Sequence, residues 1–167
     1  MDGPRSFRMM AGYNRWMNER LYALCAAMPD EERKRDRGAF FRSIHGTLNH
    51  LLVADRSWLG RFTGVEFPIR SLDQELFAHF DDLRRERAAT DAAIEDFCDR
   101  LTEDRLAANI EYGTLAGKRY AHPLEPALVH FFTHQAHHRG QVTTLLSQLG
   151  IDPGPTDVIA YYRQLGS

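Results

Sequence analysis

Eight histidines occur in this 167-residue chain, and His130, His134, His137 and His138 crowd one stretch. Neutral imidazole is a ligand for borderline transition ions, so such a cluster is first a question of which rings can face the same point. Residues four apart on a helix lie one turn along the same face, so His134 and His138 can turn their rings toward one ion as an HxxxH pair. At about 100° per residue, the apolar stripe of this segment runs through Ala127, Leu128, Phe131, Val142, Leu145 and Leu149. His138 falls inside the stripe and His134 at its edge. His130 and His137 rotate away, leaving His130 as a flanking candidate. An HxxxH pair also arises from purely structural histidines, so a metal reading needs a third ligand. An earlier amphipathic segment offers His45 and His50. His50 lies well off the stripe centred on Ile44 and Leu48, and spacing alone leaves the choice between them open.

The elements that must carry these rings read as helices. Met10, Tyr13, Met17, Leu21, Leu24 and Met28 recur at three- and four-residue steps over 6–28, and Pro29 stops that run. Ile44, Leu48, Leu51, Leu52, Leu59 and Phe62 predict a second helix from Ser43, closed by Gly64 and Pro68. Ser71 followed by Gln74 resembles a capping box, predicting a long third helix from Leu72 to Leu101. Asn109–Tyr112 and Lys118–Ala121, flanking a turn over Gly113–Gly117, read as a small hairpin. A fourth helix is predicted over 125–149, with Pro126 in its first turn and Gly150 beyond its end, and a short helix after Pro155. The fold class expected is all-α: a four-helix bundle with a hairpin insert and a short C-terminal helix, forming one domain over 1–167.

Composition narrows the function classes. With 21 basic and 23 acidic side chains there is no broad basic footprint, so no nucleic-acid partner is expected. The densest basic run, Arg33 to Arg37, is interleaved with acids and reads as a solvated loop. Cys25 and Cys98 form no CxxC pair and read as core thiols. Neither a leader pattern nor a long apolar run occurs, so a cytoplasmic protein without a membrane partner is expected. His45, His79 and His122 read as surface or loop residues, and Trp58, Tyr13, Asn14, Trp16, Tyr161 and Tyr162 as packing residues. Asp55 could orient another side chain. Arg139 and Gln141 read as salt-bridging and packing residues near a helix end, with support of a ligand ring as their alternative role.

The segments FFTHQAHHRGQVTTLLSQLG (131–150), YNRWMNERL (13–21) and GTLNHLLVADRSWLGRF (46–62) together resemble the DinB-like family of metal-binding four-helix bundles. The resemblance lies in a histidine before the Leu-Leu of the second helix and in the HxxxHHRGQ run. It selects His50, His134 and His138 as ligands, with His45 the rival on the second helix. Three neutral imidazoles suit Zn²⁺ or Ni²⁺ and leave at least one position for water or substrate. Bound water could become a nucleophile there, or a small thiol could be held as thiolate. The resemblance implies a metal-dependent enzyme acting on a small molecule, a thiol-dependent transferase or isomerase using a low-molecular-weight thiol. It also implies a homodimer. The alternative is a non-catalytic metal-binding or stress-response protein. No catalytic side chain is assigned.

Overall fold

The helical spacing of apolar residues becomes four long helices in the computed structural model, which describes residues 3–166. In chain order the elements are α1 (Gly3–Ala26), α2 (Asp30–Lys34), α3 (Ile44–Thr63), α4 (Phe80–Asp99), α5 (Glu103–Ala107), β1 (Asn109–Gly113), β2 (Arg119–Pro123), α6 (Leu124–Gln148) and α7 (Val158–Gln164). Helix α1 packs on α4 and α6, and α3 packs on the same two, so α1 and α3 occupy one diagonal of the bundle. No helix among the described residues is long and apolar enough to cross a membrane.

Helix α3 shows why the termini fall where they do. Ser43 Oγ accepts a hydrogen bond from the Gly46 amide at 2.9 Å, satisfying one of the free donors of the first turn. At the other end Gly64 takes the left-handed conformation, φ 77°, and its amide donates to the Gly60 carbonyl. The hairpin pairs β1 with β2 antiparallel, Asn109 opposite Pro123 through Gly113 opposite Arg119, one or two residues beyond the predicted strands. Helix α6 then begins directly at Leu124. Helix α7 closes over α1, where Tyr161 packs on Tyr13 and Trp16.

Three expectations are corrected. The third long helix begins at Phe80, not Leu72. Gln74 Oε1 does reach back to the Arg70 amide at 2.8 Å, but the amides of Leu76 and Phe77 both donate to Asn49 Oδ1 on α3, at 2.9 and 3.0 Å. Amides held by a side chain of another helix cannot close helical hydrogen bonds, so residues 65–79 run as a strap over α3. The basic run is only partly a solvated loop: Lys34 and Arg35 are exposed, but Arg33 lies in the short helix α2, is buried, and donates to the carbonyls of Cys25 and Met28 at the end of α1. The Cys25 carbonyl also accepts from the Met28 amide at 3.1 Å, so Arg33 adds a charged donor to a helix end whose carbonyls lack the full helical set. His45 is the third correction. It is buried at 1% exposure because Nε2 donates to the Phe77 carbonyl of the strap at 2.9 Å.

The core divides into two apolar clusters along the bundle axis. Phe7, Phe62, Ile94, Phe97, Leu128 and Phe131 belong to one, and Met17, Leu48, Leu52, Leu83, Val142 and Leu146 to the other. Between them each long helix contributes buried polar residues: Asn14 and Asn18, Asp55, Arg87 and Asp91, Gln135 and Arg139. Arg87 lies between two carboxylates, 2.6 Å from Asp55 and 2.8 Å from Asp91. Asn14 and Asn18 each donate to Asp91 at 2.9 Å, and Arg139 donates to Asn14 Oδ1. Arg87, Asp55 and Asp91 offset one another's burial as ion pairs, whereas Arg139 has the neutral Asn14 as its hydrogen-bond partner.

Candidate metal centre

His134 and His138 project from successive turns of α6, and His50 from α3, the helix packed against it. The structure brings all three together, with one ligand atom from each ring within 4.8 Å of the others. His138 Nε2 lies 3.2 Å from His50 Nε2 and 3.1 Å from His134 Nε2. A tetrahedral ion at zinc-like bond lengths separates its nitrogen ligands by about 3.3 Å. The donor set therefore fits a borderline divalent ion in type, and two of its three separations fit in spacing, with the third within 4.8 Å.

The outer nitrogens fix which way the lone pairs point. His50 Nδ1 lies 2.7 Å from the Leu72 carbonyl, which can only accept, so Nδ1 carries the proton and Nε2 presents its lone pair to the cluster. His138 Nδ1 donates to Gln141 Oε1 at 2.8 Å, which sets the same tautomer. The Gln141 amide nitrogen sits 3.5 Å from His137 Nε2 on the other side. Two lone pairs thus face each other across 3.2 Å, an arrangement favourable only with a cation or a proton between them.

Burial works against the proton. It is the largest cause of a lowered pKa at His50 and His138, and at His134 burial and then the neighbouring rings His138 and His50 hold it down to about 3. All three rings are neutral at neutral pH, the form a metal requires. Asp55, in the polar layer of the core, acts on His138 in the opposite direction, favouring positive charge at the site.

Phe41 roofs the cluster. Its ring stacks on His50 with centroids 3.8 Å apart and meets the edge of His138 at 5.5 Å. The preceding loop can lie this close because Gly46 has no side chain: a Cβ there would collide with the Phe41 carbonyl. Arg42, at φ 67°, makes the left-handed turn between Phe41 and the Ser43 cap. On the open side, His130 and His137 are exposed and His134 is half-buried. No further His, Cys, Asp or Glu of the described residues joins the cluster, so a four-coordinate ion held by these three rings would take its fourth ligand from another source.

Of the other candidates, His45 stands outside the cluster, with its Nε2 on the Phe77 carbonyl and its Nδ1 buried without a partner, and His130 flanks the cluster with its ring 5.7 Å from that of His134. Gln141 takes the ligand-holding role, whereas Arg139 is buried in the polar layer with no acidic partner in hydrogen-bond contact. Asp55 pairs with Arg87, and Trp58 is half-buried between Phe62, Tyr112 and His130. Phe41 and the Leu72 carbonyl were not legible as site groups. Phe41 comes from an irregular segment with no periodic signal, the helical spacing around Leu72 pointed to a helix and not to a strap, and a backbone carbonyl has no sequence signature at all.

A four-helix bundle with an inward HxxxH pair and a third histidine from the facing helix defines a class of protein, and comparison supplies its family. The model of the DinB family matches residues 4–165, and the chain belongs to that family. It is 25% identical over 159 residues to the protein DinB of Bacillus subtilis (strain 168), covering 89% of each chain. A crystal structure of a DinB-like protein from Bacillus cereus ATCC 10987 shares the fold, with a TM-score of 0.58 at 19% identity over 83% of this chain and 89% of that one.

Proposed function

We propose that this DinB-family protein is a metal-dependent enzyme acting on a small molecule, with His50, His134 and His138 holding a divalent ion, Zn²⁺ or Ni²⁺. One observation carries the reading: three neutral imidazoles converge, two with their lone pairs fixed inward by outer hydrogen bonds, and no fourth His, Cys, Asp or Glu joins them among the described residues. An ion held there would acidify a water or thiol bound at the open position. The protein's own part is to keep the rings neutral, to fix their tautomers through Leu72 and Gln141, and to shield one side with Phe41. His130 beside His134 and His137 beside His138 are exposed groups able to take up a proton released at that position.

The reaction class proposed is a thiol-dependent transfer or isomerisation with a low-molecular-weight thiol, in a cytoplasmic homodimer. This part rests on the family resemblance. It is tested by loading the purified protein with Zn²⁺ or Ni²⁺ and screening small thiols with electrophiles. Turnover that requires the ion and vanishes in His138→Ala is expected. Stoichiometric metal with no turnover on thiols or simple hydrolase substrates would overturn the enzyme reading in favour of a metal-binding or stress-response protein. Sedimentation should give twice the chain mass, and a monomer would contradict the dimer.

A further inference from the structure

Arg61, near the end of α3, is anomalous among the arginines. Every other arginine of the described residues that is not exposed gives its guanidinium to an oxygen acceptor. Arg61 is half-buried and has only aromatic faces for company. Its Cζ lies 4.4 Å from the centre of the Trp58 ring and 4.7 Å from that of Tyr112. Burial lowers its pKa, with no carboxylate acting to raise it. Stacking on two rings explains the pose of a guanidinium but uses none of its N–H donors.

Its position gives this free cation a use. From His134 a continuous aromatic wall runs along the open side of the bundle: His134 to His130 at 5.7 Å, His130 to Trp58 at 5.2 Å, then Arg61 over Trp58. Tyr112 of β1 extends the wall, 5.2 Å from Trp58, with its hydroxyl 3.1 Å from His122 Nε2. Beyond it a cleft of about 470 Å³ opens between the end of α3, residues 64–69 and the hairpin, with Arg61 on its edge. Arg56, the other arginine of that cleft, is already neutralised by Glu86 at 2.5 Å. Glu66 and Glu111 also line the cleft, Glu111 against Arg119 at 3.6 Å, and Arg61 is the lining cation that no carboxylate meets in an ion pair.

We propose that Arg61 is a binding residue for the carboxylate of an elongated small molecule whose other end reaches the histidine cluster and whose middle lies on Trp58 and Tyr112. A planar guanidinium matches a carboxylate with two parallel hydrogen bonds, and one unpaired charge balances a monoanion better than a phosphate dianion. The proposal rests on the metal reading for the far end of the molecule, but not for the carboxylate itself.

The two readings separate in one set of titrations. 6-Mercaptohexanoate and its neutral amide are titrated calorimetrically into Zn²⁺-treated and metal-free wild type, Arg61→Gln, Arg61→Lys and His134→Ala, with metal content measured on every sample. The wild type is expected to prefer the carboxylate by about tenfold, the value of one charge-assisted contact. Arg61→Gln should lose that preference, and Arg61→Lys should keep part of it. His134→Ala should weaken both probes together while retaining the preference. A preference that survives in Arg61→Gln, equal binding of acid and amide, or no binding of either overturns the proposal. A preference that depends on Arg61 in protein that takes up no metal would instead leave the carboxylate site standing and remove the metal reading.

Discussion

His50 Nε2 faces His138 Nε2 at 3.2 Å, and each ring has already committed its other nitrogen, His50 to the Leu72 carbonyl and His138 to Gln141. The two rings come from helices whose apolar faces bring them together, but the direction of their lone pairs is set by groups outside the bundle interface. Removing such an outer group should leave the fold intact and degrade the site.

Gln141→Leu tests this. Loss of an outer hydrogen bond to a ligand histidine weakens metal binding by roughly 10- to 100-fold, and that is the expected change in Zn²⁺ affinity measured against a competing chelator. Far-UV circular dichroism and urea midpoint should be nearly unchanged, since Gln141 is only partly buried. Wild-type affinity in this variant would show that Gln141 does not hold the ring.

The histidines also set a pH dependence. His134 has a folded pKa of about 3 against an ordinary value of 6.5, so between these values the unfolded chain binds a proton that the folded chain does not. Metal-free protein should lose stability as pH falls from 6.5 toward 3, and part of that loss should be absent in His134→Ala. Lowered values at His50 and His138 act in the same direction. Urea titrations at pH 7.5 and 5 measure it, and a loss between the two pH values no larger in wild type than in His134→Ala would contradict the assignment.

Arginine 87 and arginine 15 make a matched pair for the polar layer. Arg87→Leu leaves Asp55 and Asp91 buried without their counter-ion and should destabilise the fold by about 3–5 kcal/mol. Arg15→Leu breaks two bonds of similar length, to Glu19 and Glu95, but on the surface, where such pairs contribute about 0–1 kcal/mol. Chemical denaturation of both variants should show that contrast, and comparable losses would mean that the layer is less dry than its burial implies.

Much of this was legible in sequence because periodicity reports burial. The apolar steps in α1, α3 and α6 gave the bundle, and the four-residue spacing of His134 and His138 gave one side of the site. Periodicity failed where a side chain from elsewhere replaces a local hydrogen bond. Asn49 holds the amides of Leu76 and Phe77, so a segment with helical spacing and a cap-like Ser71 became a strap. The same strap buries His45 and takes its Nε2, so the ring nearer the apolar stripe is structural. His50, off that stripe, faces α6 at the margin of the core. Only the family resemblance separated the two, since neither the strap nor its carbonyls could be placed from the sequence.

The measurement that bears most directly on the metal centre is elemental analysis of the purified protein after incubation with Zn²⁺ or Ni²⁺ and desalting. His50→Ala, His134→Ala, His138→Ala and His45→Ala are run beside the wild type, with folding checked by circular dichroism. About one ion per chain in wild type and His45→Ala, with loss of the ion in each of the other three folded variants, is the expected result. Wild type without metal, or metal retained in all of the variants, would contradict a three-histidine site.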